Sequence, residues 1–294
     1  MMQHSLLRLV ALAAAIAVLA GCSLIRLGYG HLDAYAAWKA NHYFDLDAHQ
    51  REEFLRRFER LHEWHRYEEL PDYARFLAET RARLEKPLAR EDVEWFIEGV
   101  KARYARLVSH AAEDAAALLD TVTPAQLDTL QREWNEDNRR FVREYRLNGT
   151  PEEIERARVT RTLEQVREWA GRLDDDQEQR ITGLTRALPP IEKLRYEDRL
   201  RRQREFFRLV RERGEDRARF AARLRDWLTD WDKGRAPEYE RRYRQWLAQR
   251  EQMVVQIARM LKPEQRNRVL GRLNGYTEDL TRLARRPTAQ AARN

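Results

Sequence analysis

Apolar residues recur along this chain at three- and four-residue intervals, with no run of strict apolar–polar alternation. That is the period of helices and not of strands. Phe54, Phe58, Leu61 and His65 make an i, i+4, i+7, i+11 stripe on a helix that begins at Asp47. A second stripe, near a 3.5-residue repeat, runs through Leu127, Leu130, Trp134, Phe141 and Tyr145 from a start at Thr123. Tyr239, Tyr243, Trp246, Met253, Ile257 and Met260 form the last long one. The spacing also predicts a short helix over Asp33–Tyr43, carrying Tyr35 and Trp38, and a long one over Arg90–Leu119 with Trp95 on its apolar side. Pro71 follows Leu70 and should break or kink the helix that contains it. Asn148-Gly149-Thr150-Pro151 is the clearest interruption, with a glycine stop, a threonine cap and a proline at the first helical position. Pro189-Pro190 marks a turn, Lys233 to Pro237 a linker, and residues 286–294 a tail. The expected fold is all-α, an elongated bundle of long, thin, amphipathic helices.

One local pattern repeats. Leu46-Asp-Ala-His-Gln50, Val122-Thr-Pro-Ala-Gln126, Leu173-Asp-Asp-Asp-Gln177 and Leu261-Lys-Pro-Glu-Gln265 each read as a helix start. Asp47, Thr123 and Asp174 are N-caps, able to accept from free backbone N–H groups. Gln50, Gln126 and Gln177, three residues on, can close capping boxes. Lys262 departs from the pattern as a cap, although Gln265 keeps it. The first two copies lie 76 residues apart and the last two 88 apart, which parses the chain into two related helical halves, 31–149 and 150–285.

The N-terminus changes the picture of where such a bundle works. A head with Arg8 leads into an apolar run from Leu9 to Ala20, then Leu19-Ala20-Gly21-Cys22. The run is shorter than the roughly 20 apolar residues that a spanning helix needs. Cys22 is the single cysteine of the chain, so it leaves no thiol for a disulfide, a metal or a nucleophile once modified. This stretch resembles the lipobox of bacterial lipoproteins. The resemblance implies cleavage of residues 1–21, a diacylglycerol on the Cys22 sulfur and an acyl group such as palmitate on its new amino terminus. Residues 22–30, with Gly28 and Gly30, then read as a tether. Ser23 stands where an aspartate would retain the protein at the inner membrane, so the implied destination is the outer membrane, facing the periplasm.

Composition narrows the function classes. The chain is 36% charged with a net charge of +7, mostly arginine interspersed with glutamate. Mixed signs at this density describe solvated helix faces, not a nucleic-acid footprint. Gly28-Tyr29-Gly30 follows no strand, so no phosphate loop is expected. Ser109 and His110 are adjacent on a helix, about 100° apart, and cannot form a dyad. Glu59-x-x-His62 has the spacing of di-iron bundles, but no second copy exists. His62, His65 and Glu69 are the candidates for a mononuclear metal site. No cofactor and no enzymatic activity are expected. The eight tryptophans fall about one per helix and should mostly be core, with Trp227 and Trp231 as a candidate binding face.

The Leu-Thr-x-x-Gln pattern, carried in full variety by the four pentads above, resembles that of periplasmic stress chaperones of the Spy and CpxP type. These hold two such motifs per subunit and pair into a thin, curved, positively charged cradle. The resemblance implies that each half here stands for one subunit, although only Val122-Thr-Pro-Ala-Gln126 keeps the threonine. The stretch from Tyr43 to Leu77, with Trp64-His65-Arg66 and Glu69-Leu70-Pro71-Asp72-Tyr73, resembles an uncharacterised family of proteobacterial lipoproteins. The expectation is a membrane-anchored binding protein whose partner is a polypeptide client, chaperone-like, with a structural adaptor of an envelope complex as the alternative. A concave apolar groove would favour the first, and convergence of His62, His65 and an acidic residue from another helix would favour a metal.

Overall fold

The computed structural model of the chain describes residues 26–286; the leader, Cys22 and the tail beyond Arg286 lie outside the described residues. Among the described residues, eleven α-helices follow a helical turn at 26–30, and there is no strand. They are α1 (Leu32–Phe44), α2 (Ala48–Trp64), α3 (Leu70–Leu84), α4 (Arg90–Asp120), α5 (Pro124–Glu144) and α6 (Pro151–Ala170). Then come α7 (Asp175–Ala187), α8 (Glu192–Arg211), α9 (Arg217–Thr229), α10 (Pro237–Met260) and α11 (Pro263–Leu283).

The helix starts are where the caps place them. Asp47, Thr123, Thr150 and Asp174 each accept from the backbone N–H three residues on, and that third residue's side chain returns a bond to the cap N–H. Each such cap is worth about 1 kcal/mol. Pro71 neither breaks the chain nor ends a helix. Between α2 and α3 the residues His65–Glu69 widen into a π-helical turn, in which the Leu70 N–H donates to the His65 carbonyl five residues back. The wider turn absorbs the donor that Pro71 lacks, so α2 and α3 continue as one interrupted rod.

The expected tether is also shorter than its sequence suggests. Residues 26–30 are helical. Arg26 Nε pairs with the buried Asp279 carboxylate at 3.2 Å. The Tyr29 hydroxyl bonds His65 Nδ1 at 2.8 Å while its ring lies 4.5 Å from that of His62. Gly28 and Gly30 suggested a tether, but the tyrosine between them has an aromatic seat between His62 and His65 to occupy.

The two halves are not separate bodies. α3 lies along α11, and α4 packs against both α9 and α10, so first-half helices are neighbours of second-half helices. The main core draws on both: Ala116, Leu127 and Leu130 meet Phe206, Val210, Phe220 and Leu224. A smaller cluster joins Leu88 and Val93 to Val255. None of the eight tryptophans is fully buried: Trp134 and Trp227 pack against the main core, while Trp38, Trp169 and Trp231 are exposed. Phe, Leu, Val and Ala make up the fully buried interior of the main core, and the indoles either pack around it or stand at the surface.

The four glutamines of the repeated pattern are all buried, and they meet in pairs. Gln50 Nε2 donates to Gln126 Oε1 at 3.1 Å and Gln126 Nε2 donates to Gln50 Oε1 at 2.5 Å. Each also donates across to a backbone carbonyl two residues before the partner's cap: Gln50 to Thr121 at 3.0 Å, Gln126 to Asp45 at 3.1 Å. Gln177 and Gln265 repeat this, at 2.7 and 3.0 Å to each other and at 2.9 and 2.7 Å to the Met260 and Arg172 carbonyls. Every Oε1 additionally accepts from its own cap N–H. Each amide thus has its two donors and both lone pairs of its oxygen satisfied. Lys262, which cannot cap, instead pairs its ammonium with Asp174 at 2.8 Å.

Candidate functional site

A groove of about 550 Å³ opens where α8, α9 and α10 converge with α4 and α5. Helix α8 supplies one wall. Arg195, Arg199 and Arg202 recur at i, i+4 and i+7, which stacks three guanidinium groups on one helix face. Helix α10 supplies the opposite wall with the same spacing, placing Tyr239, Tyr243 and Trp246 in a ladder of successive ring contacts at 5.9 and 5.8 Å. Trp134 of α5 and Trp227 of α9 form the floor, and Trp231 stands at the rim.

The rim is held by polar contacts to main-chain oxygens. The Asp230–Gly234 segment turns back on itself, with Gly234 at φ +77°, a left-handed conformation that favours glycine. Arg201 donates to the Lys233 and Trp231 carbonyls at 2.9 and 3.4 Å while its charge is met by Asp198 and Glu205. The Trp231 indole N–H donates to the Leu228 carbonyl, and Tyr104 reaches the same oxygen at 3.3 Å while its ring meets Trp231 edge-on at 5.1 Å. Arg235 is pinned over Tyr239 and Tyr243 and pairs with Glu240 at 2.8 Å.

The α8 arginines are differently placed. Arg202 donates to the Trp227 carbonyl at 2.9 Å and lies 4.7 Å over that indole. Arg199 donates to the buried Asn138 at 2.7 Å, and Arg195 lies over Phe141 and Tyr145. None of the three has an ion pair among the described residues. Burial, reinforced by neighbouring Arg201, holds the Arg202 guanidinium below its ordinary pKa, though it remains a cation. Burial likewise pushes the Tyr239 hydroxyl up, so it stays a neutral donor. The groove therefore offers partly desolvated positive charge beside flat apolar rings. An anion entering it offsets the cost of that desolvation, and rings stack on the walls.

Trp227 and Trp231, which the sequence marks as a binding face, both line this groove, with different roles. Trp227 rests against Phe206 at 5.1 Å and is half-buried; Trp231 is 44% exposed. The arginine triplet on α8 escaped the sequence reading, although its i, i+4, i+7 spacing was there to be found.

The histidine candidates are engaged elsewhere. Glu69 is gripped by Arg106 through both carboxylate oxygens, at 3.1 and 3.0 Å. His65 Nδ1 faces the Tyr29 hydroxyl, and His62 Nε2 is buried without a hydrogen-bond partner. Burial lowers the pKa of both rings, so they sit neutral as an aromatic seat for Tyr29. Among the described residues no group of three or more His, Cys, Asp or Glu side chains is arranged to hold a metal. His110, beside Ser109, stacks face to face on Trp64 at 3.7 Å.

The fold and its groove define an all-helical protein with a cationic, aromatic-walled recess. The chain belongs to the family of unknown function DUF6279, which it matches over residues 42–242. That match takes in the groove's α8 and α9 and the first turn of α10, and bears out the expected kinship with an uncharacterised family. No curated protein and no solved structure matches the chain.

Proposed function

We propose that the protein is a proteobacterial lipoprotein, anchored in the outer membrane through Cys22, that holds polypeptide segments in the α8–α10 groove on the periplasmic side. The observation that carries this reading is the placement of Arg195, Arg199 and Arg202, none of them in an ion pair among the described residues although Asp198 lines the same groove, opposite the Tyr239–Tyr243–Trp246 ladder. Guanidinium groups attract acidic segments at long range, and the rings take up exposed aromatic or aliphatic side chains at short range. Such a site favours unfolded chain over a folded surface, because only unfolded chain presents both kinds of side chain in one flexible strand. The recurrence of the same glutamine pair in each half supports the reading of the chain as two related halves, in the manner of the two subunits of a Spy-type cradle.

The test uses the mature chain from residue 22 with Cys22→Ala. Suppression of aggregation of an unfolded acidic client at near-stoichiometric ratio is expected, weakening as salt rises. Trp231→Ala and Arg195→Ala, which alter the groove with little effect on the core, should each reduce it several-fold. Suppression unaffected by both substitutions would move the site elsewhere. No suppression at any ratio would overturn the reading in favour of an adaptor with one dedicated envelope partner.

A further inference from the structure

Helix α1 is inverted with respect to the usual rule for an amphipathic helix. Its inner side is built on Ala37, 3% exposed, and on Tyr43, whose hydroxyl bonds Asp137 of α5 at 2.8 Å. Its outer side carries Tyr35 at 56% and Trp38 at 57% exposure, with Leu27 at 59% on the helical turn before it. Tyr35 and Trp38 are three residues apart and share a face, with ring centroids at 5.8 Å. Trp38 continues the stack onto His42 at 5.9 Å, and Lys39 lies 5.1 Å over the indole. Packing alone would place the indole inward and the alanine outward. Lys39 and His42 of the same helix flank the indole, yet Tyr35 and Trp38 both remain more than half exposed.

We infer that this face lies on the phospholipid surface of the membrane that holds the anchor, and so fixes the orientation of the bundle and its groove. Cys22 is five residues from Leu27, a reach of no more than about 18 Å for extended chain. An acylated Cys22 therefore holds the helical turn at Leu27, which leads into α1, near the headgroup layer, at a local concentration that makes even a weak contact persistent. Tyrosine and tryptophan are the residues that favour this layer, with ring in the hydrocarbon margin and polar edge in water. Arg26 is paired with Asp279, and Lys39 lies over the Trp38 and Tyr43 rings, so the face is mainly aromatic with one lysine beside it. This rests on the reading of Cys22 as the anchor.

The experiment separates the two. Because Cys22 is the single cysteine, the unlipidated chain from residue 22 can be coupled there to a maleimide-headgroup phospholipid in phosphatidylethanolamine–phosphatidylglycerol vesicles, whatever happens to Cys22 in the cell. Brominated acyl chains should quench tryptophan fluorescence in the coupled protein. Trp38→Phe should remove most of that quenching, and Trp231→Phe should leave it unchanged. Tyr35→Ser with Trp38→Ser, both at exposed positions, should lower the partitioning of uncoupled protein roughly tenfold. Quenching that survives Trp38→Phe would overturn the inference. So would a dimer in sedimentation that Tyr35→Ser and Trp38→Ser dissolve, since the face would then belong to a second copy. Mass spectrometry of the N-terminal peptide from cells reads the natural anchor separately.

Discussion

Gln50 and Gln126, 76 residues apart, each donate a side-chain N–H to the other's carbonyl oxygen, and each closes its own helix start with the same oxygen. A residue that looks like a local cap is thus also the joint between two distant helices. Replacing Gln126 by Ala leaves Gln50 and the Asp45 carbonyl short of partners inside the protein, where each unmet group costs about 1–3 kcal/mol. Urea denaturation should show a loss of about 2–4 kcal/mol for Gln126→Ala, against about 1 kcal/mol for Thr123→Ala, which removes the cap alone. Equal losses would show that the cross-link contributes nothing beyond capping.

The glutamine joints act within each half, but the helices of the halves interleave. Cutting the chain near Asn148 should therefore give fragments that do not fold alone, since α3 would lose α11 and α4 would lose α9 and α10. Co-expressed fragments should reassociate into one species with the helical circular dichroism of the whole chain. Two independently folded, cooperative fragments would contradict the packing.

The two groove tryptophans should separate on substitution. Trp227 contributes to the core beside Phe206, so Trp227→Ala should cost about 3 kcal/mol of stability. Trp231 stands at the rim, and Trp231→Ala should change stability by less than about 1 kcal/mol while weakening client binding. Thermal melts and the aggregation assay together check the pair.

Acidification should loosen the N-terminal attachment. Burial lowers the folded-state pKa of His62 and His65 below the ordinary value of about 6.5, with Arg66 adding to the effect at His62 while Glu69 and Asp33 oppose it. Below that value the unfolded chain takes up protons that the folded chain resists, so stability falls with decreasing pH. Protonation also adds a donor at each ring where Tyr29 now docks. The melting temperature should drop between pH 7 and pH 5, and the drop should shrink in His62→Phe. An unchanged pH slope in that variant would remove His62 from the account.

Much of the fold was legible because its causes are local. Helical period, glycine and proline stops, and the Asp or Thr caps with glutamine three residues on are properties of short windows, and they located α1, α2, α4, α5 and α10 closely. Pro71 was harder. Its missing donor was plain, but a missing donor is compatible with a break, a kink or the π turn that the chain adopts, and no short window chooses among them. The histidine cluster misled for a related reason: i,i+4 spacing shows that His65 and Glu69 share a face, not that Arg106 takes the carboxylate and Tyr29 the ring.

The sequence by itself determined that this chain is helical, where most helices begin, and that a lipobox-like cysteine precedes them, since each follows from backbone chemistry or from a short motif. Tertiary structure alone decided which glutamines meet, which helices from the two halves become neighbours, and that three arginines of α8 face an aromatic ladder of α10. Those are relationships between residues tens to hundreds of positions apart. They are set by how side-chain volumes and polar groups are satisfied together, which no local window contains.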